Sequence, residues 1–114
     1  MNAHQLRLPA PAVLTREQVD EVFDRAATQQ DYLLGLYRLV IPDFDRVEKV
    51  HRWPTISQEF WLYICDKAMA WDRAHNVRAL HGGAWLNWGF SSDATIKGGR
   101  VLPCEVIYKE TPDA

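Results

Sequence analysis

The chain is expected to fold as an α+β protein, with helices over its first two thirds and a small antiparallel sheet in its last third. Three observations lead there. Apolar residues recur at helical spacing between Thr15 and His75. After Asn76 the texture changes to glycine, β-branched and aromatic residues, and Gly98-Gly99 stands where a two-residue hairpin turn belongs. Helices first and strands last place one face of a small sheet against the helices.

The elements follow in order. Pro9 and Pro11 make residues 1–14 extended, because proline fixes φ and biases its predecessor away from helix. Thr15 with Gln18 three residues on makes a capping box, so a first helix covers about 16–28 with Val19, Val22, Phe23 and Ala26 inward. A polar stretch at Thr28 to Asp31 then precedes a helical pattern over about 31–41, and the whole of 16–41 fits one helix or two. Pro42 and Asp43 suit a helix start, which predicts a short helix over 43–51 with Phe44, Val47 and Val50 inward. Ser57 is an N-cap for the strongest helix, about 58–75, whose apolar face carries Phe60, Trp61, Ile64, Cys65, Ala68 and Trp71.

Strands are expected at about 84–90, 94–97 and 100–109, the last two joined at Gly98-Gly99 by a type I′ turn. An uninterrupted register would put Leu86, Trp88 and Phe90 on the face opposite Leu102, Cys104, Val106 and Tyr108. One extra residue, or a break, near Ser91 to Asp93 brings both sets to one buried face. Pro103 implies an edge or a bend. Under that register Trp85, Val101 and Ile107 share the outer face, an apolar patch that suits self-association into a homo-oligomer.

Composition narrows the class. A length of 114 residues fits one domain over 1–114, with the ETPDA end frayed, and 47% hydrophobic with 25% charged residues is a globular balance. The net charge of -2 is interspersed, so no basic stripe invites nucleic acid. No apolar run approaches the roughly 20 residues that cross a bilayer, so no membrane partner is expected. The first residues lack the pattern of a secretory signal, and Cys65 and Cys104 read as buried thiols in a reducing, cytoplasmic setting.

Chemistry concentrates between Trp71 and Phe90. By the helical wheel Asp72 and His75 project from the apolar side of the last turn, where a polar pair needs a reason. They serve structure, with His75 favoured at the helix C-terminus, or else they form an acid-base dyad near His81, of no assigned reaction. The string His81-Gly82-Gly83-Ala84-Trp85 is similar to the oxyanion-hole loop of esterases in the α/β-hydrolase family. That family also requires a GxSxG nucleophile elbow on a long parallel sheet; the chain contains no GxSxG, and Gly82 and Gly83 are read as a turn. Asp72, His75 and His81 match no metal-ligand spacing, so neither a metal nor a cofactor is expected. The favoured reading is a binding protein. It self-associates through Trp85, Val101 and Ile107, or holds a small, partly apolar ligand among Trp71, His75, His81 and Trp85; a small enzyme is the alternative.

Overall fold

A computed structural model describes residues 6–7, 12–80, 85–93 and 95–109. In chain order these form β1 (Leu6–Arg7), β2 (Ala12–Val13), α1 (Arg16–Arg25), α2 (Gln29–Val40), a 3₁₀ turn at Phe44–Arg46, β3 (Val47–Arg52), β4 (Thr55–Ser57), α3 (Gln58–Ala74), β5 (Gly89–Ser91), β6 (Arg100–Val101) and β7 (Glu105–Tyr108). The fold is α+β, with its helices toward the N-terminus and small, mainly antiparallel sheets.

Local chemistry sets the helix starts. Thr15 Oγ1 accepts the Gln18 amide while the Gln18 side chain accepts the Thr15 amide, so two orphan N–H groups are satisfied at the head of α1. The same reciprocal box joins Thr28 and Asp31, and its presence makes residues 16–40 two helices with extended backbone at Ala26 between them. Ser57 Oγ accepts the Phe60 amide at the start of α3. The other end of α3 is a Schellman turn: Asn76 stands at φ 53°, its amide donates to Arg73 O at 3.3 Å, and the Val77 amide donates to Asp72 O at 3.1 Å.

The helix expected over 43–51 is instead one 3₁₀ turn followed by the strand β3. Asp43 adopts φ 51°, which breaks the helix start, and the Lys109 amide donates to Arg46 O at 2.7 Å, which draws the segment onto β7. Irregularities in the β3–β7 register between Val47 and Lys49 and between Val50 and Arg52 explain the mistaken period. A bulge adds a residue to one strand, so Val47 and Val50, three apart, are both half-buried. Helix-like spacing here is a property of a bulged strand.

The strands pair differently from the expected hairpin. β7 lies between β1 and β3, β6 pairs with β2, and β5 pairs in parallel with β4, whose Thr55 also bridges Leu102. No strand covers 94–97 among the described residues, and 100–109 is split into β6 and β7 around Pro103. Each C-terminal strand therefore finds its partner in an earlier part of the chain.

The reason lies at the Gly98-Gly99 turn. Arg100 N donates to Lys97 O at 3.4 Å, but only Gly98 has positive φ, at 59°, so the turn is not type I′. Its carbonyls are taken from outside: Gly98 O accepts Ser57 Oγ at 2.7 Å, and Gly99 O accepts the Leu14 amide at 2.7 Å. Gly99 is so close to the Leu14 backbone that any Cβ would overlap it. The break expected near Ser91 to Asp93 is present as a turn, in which Asp93 Oδ1 accepts the Thr95 amide and Ser91 Oγ accepts the Asp93 amide. It ends β5 without bringing Phe90 to Val106.

One apolar cluster holds these pieces together, from Val19 and Phe23 of α1 through Tyr32 and Leu36 of α2 to Ile64, Ala68 and Trp71 of α3. Leu86, Trp88, Cys104 and Val106 join it as expected, but Phe90 is 53% exposed. Among the described residues no helix is long and apolar enough to cross a membrane.

Gly99→Ala is expected to lower the unfolding free energy, read from urea titration, by on the order of 1–3 kcal/mol, because the added methyl has no space. Gly98→Ala meets open space and is expected to cost about 1 kcal/mol, through its left-handed backbone alone. Equal losses at the two positions would contradict the docking of this turn on Leu14.

Candidate functional site

The last turns of α3 carry the residues of interest, and the helix puts them on different sides. Ile64, Ala68, Trp71 and Asp72 face the core, and Asp72 is only 2% exposed. A buried carboxylate needs donors. Asp72 Oδ1 accepts the Tyr32 hydroxyl at 2.9 Å and Gln29 Nε2 at 3.2 Å, and the same Gln29 nitrogen donates to Arg78 O at 2.6 Å. Burial first, and then the bond to Asp72, push the Tyr32 phenol above its ordinary range.

His75 goes elsewhere. As the C-cap of α3 it leaves helical geometry, with φ -102° and ψ 5°, and its exposed ring lies flat on the Trp71 indole, centroids 3.7 Å apart and planes 10° apart. Its Nδ1–H donates to Trp71 O at 2.8 Å, so in the neutral ring Nε2 carries the outward lone pair. The described contacts of Asp72 and His75 thus lead apart: one fastens α2 to α3, the other covers Trp71. The helical wheel placed Asp72 correctly, but it could not follow His75 out of the helix. His81 and the Gly82-Gly83-Ala84 run lie outside the described residues.

Beside this stack lies an open groove of about 330 Å³ between the end of α1 and the second half of α3. Phe23 and Asp24 form one wall, and Lys67, Ala70, Trp71 and His75 the other. It exists because α1 stops at Arg25 and turns away at Ala26 while α3 runs on, with alanines at 70 and 74 where larger residues would fill the space. Trp71 Nε1 is buried with no acceptor among the described residues, as is Trp88 Nε1. A second groove of about 320 Å³, between Val22 and Leu39, is crossed by the Arg25–Glu21 ion pair at 2.6 Å.

Trp85 does not face outward. It is half-buried between Tyr32 and Trp61, 6.1 Å from each ring, so it belongs to the same aromatic cluster as Trp71 without lining the groove. Val101 is 4% exposed in the core, and Ile107 lies mid-sheet in β7, opposite Leu6 and Lys49. The outer face expected to join Trp85, Val101 and Ile107 does not form, because the strand expected over 84–90 is only Gly89–Ser91 and leaves Trp85 outside it, while β6 and β7 belong to different sheets and share no parity. Among the described residues no group of three or more His, Cys, Asp or Glu is placed to hold a metal ion.

A polar cluster on the α1–α3 seam was missed from sequence. Tyr63 Oη donates a short hydrogen bond to Asp20 Oδ1, Lys67 Nζ lies 3.3 Å from the same oxygen, and the Arg16 guanidinium sits 4.8 Å from the centre of the Tyr63 ring. The Tyr63 bond, followed by Lys67, holds Asp20 below the usual carboxylate range, while Asp20 pushes Tyr63 up to about 12. The i,i+4 pairs Arg16/Asp20 and Tyr63/Lys67 are legible in the sequence, but not that α1 and α3 bring the two pairs together.

What this arrangement defines is a small α+β protein whose aromatic core lies beside an amphipathic groove between α1 and α3. No protein-family model, no curated protein and no solved structure matches the chain.

Tyr32→Phe removes the hydroxyl that serves the buried carboxylate and is expected to cost about 1.5–3 kcal/mol in urea unfolding. For Asp20 the folded value lies below the unfolded one, so its contribution is present above the ordinary value of 3.8 and is lost as pH falls through the folded value. The melting temperature of Asp20→Asn is therefore expected to fall less steeply than that of the parent over the acidic limb. Parallel curves would show that Asp20 gains nothing on folding.

Proposed function

We propose that this chain is a binding protein whose groove between α1 and α3 takes a small, partly apolar molecule. The observation that carries the reading is the groove itself: about 330 Å³ of open volume walled by Phe23, Trp71 and His75 and floored by small side chains. Such a site joins apolar surface to a few placed polar groups, as ligand sites generally do. Flat apolar atoms suit the alanine and aromatic walls. A donor suits His75 Nε2, whose orientation is held by the Nδ1–H bond to Trp71 O.

The dyad alternative has less support, since the described partners of Asp72 are Tyr32 and Gln29, and those of His75 belong to Trp71. Self-association has lost its first motive, with Val101 in the core and Trp85 packed against it. A cytoplasmic setting belongs to the same proposal, on the strength of the two free thiols Cys65 and Cys104.

Benzamide is a suitable probe, being flat and apolar with one donor group. Titration followed by the indole N–H resonances is expected to shift Trp71 saturably and leave Trp88 in place. Ala70→Leu, a change at an exposed helical position that fills the groove, should weaken binding at least about tenfold, or roughly 1.4 kcal/mol. Shifts spread evenly over the tryptophans, or unaffected by Ala70→Leu, would refute the proposal.

A further inference from the structure

A run of aromatic rings forms a path from the half-buried surface to the wall of the groove. Half-buried Trp61 lies 6.1 Å from Trp85, Trp85 lies 6.1 Å from Tyr32, and Tyr32 lies 5.2 Å from Trp71, all as ring centroids. At these separations neighbouring rings are in or near contact, which suits short electron-transfer steps. Tyr32 is fully buried, and its hydroxyl donates at 2.9 Å to the carboxylate of Asp72.

We propose that Tyr32 and Asp72 form a one-electron oxidation site, reached from the surface through Trp61 and Trp85 by a small radical oxidant. The oxidant takes one electron from Trp61 and leaves as its anion. The Trp61 radical cation takes an electron from Trp85, and that of Trp85 takes one from Tyr32. As Tyr32 loses its electron, its O–H bond breaks and the proton forms a new O–H bond on Asp72 Oδ1. Oxidant radical, phenol and carboxylate thus become oxidant anion, neutral phenoxyl radical and carboxylic acid, with atoms and charge balanced.

Burial gives the last step its direction. Before it, the interior holds an indole radical cation and a carboxylate; after it, both groups are neutral. Charges in a low-dielectric interior are costly, so a transfer that removes two of them is favoured. Geometry supplies the rest, because the acceptor oxygen is already at hydrogen-bond distance and no rotation is needed. Tyr37 has Trp53 and Trp88 as neighbours, but its described hydroxyl partners are the backbone and side-chain nitrogens of Asn87, which offer no such base. Tyr63 does have a carboxylate partner in Asp20, on the α1–α3 seam. Any test must remove that competitor.

The experiment is photochemical oxidation of the intact chain by tris(bipyridyl)ruthenium with persulfate as quencher, read by transient absorption and electron paramagnetic resonance. In a Tyr63→Phe background the neutral tyrosyl signal is expected to persist. Adding Tyr32→Phe should lower it at least about tenfold and leave a longer-lived indole signal, because the proton-accepting pair is gone. Asp72→Asn, which keeps an oxygen acceptor but cannot take the proton at neutral pH, should lower the tyrosyl yield similarly, with the fold checked by circular dichroism. A tyrosyl signal that survives Tyr32→Phe, or a yield unchanged in folded Asp72→Asn, overturns the proposal. The benzamide titration is independent of either outcome.

Discussion

A carboxylate sealed among aromatic rings is the constraint around which this molecule is arranged. Tyr32 and Gln29 reach Asp72 from α2 and serve it in the core, and a buried charge deprived of its donors costs several kcal/mol. That requirement fixes how α2 lies against α3. It also places Tyr32 at the centre of the core, where Phe23, Trp71 and Trp85 pack around it at centroid distances of 4.7, 5.2 and 6.1 Å. Gln29 carries the same network outward to Arg78 O, which anchors the chain leaving α3.

The groove follows from this clamp. With α2 and α3 held by Asp72, α1 covers only the first part of α3, since it ends at Arg25. The α1–α3 seam is closed there by Asp20, Tyr63 and Lys67. Beyond it, small side chains at Ala70 and Ala74 and the flat His75–Trp71 stack leave a recess that the described residues do not fill. Stability and opening are thus neighbours on one helix: the inward side of its last turns is fastened, and the outward side is left for something else.

The strands obey a different logic, that of backbone groups finding partners far along the chain. Gly98 and Gly99 make a turn, yet both of its carbonyls are bonded outside the turn, to Ser57 and Leu14, so the turn docks onto the start of α3 and the approach to α1. The strands that follow then meet β2, β3 and β1 instead of folding back on each other. This is why Trp85 and Val101, placed outside by an assumed hairpin, lie in or against the core.

Much of the helical part was legible in the sequence, because capping boxes and apolar periodicity act over three or four residues: Thr15 with Gln18, Ser57 before Phe60, and the inward direction of Asp72 could all be read there. The α+β class, and the inward direction of Leu86, Trp88, Cys104 and Val106, were legible as well. What the local pattern could not contain was strand partnership, the bulges that make Val47 and Val50 imitate a helix, and the departure of His75 from the helix wheel. Those depend on groups more than thirty residues away or on the last non-helical dihedral of α3. The sequence by itself determined where helices begin and which residues avoid water, since both are settled by neighbours and by side-chain chemistry. Tertiary structure alone decided which strands pair, which tryptophan is enclosed and where a groove opens, because each backbone donor takes whichever acceptor the packed helices bring within reach.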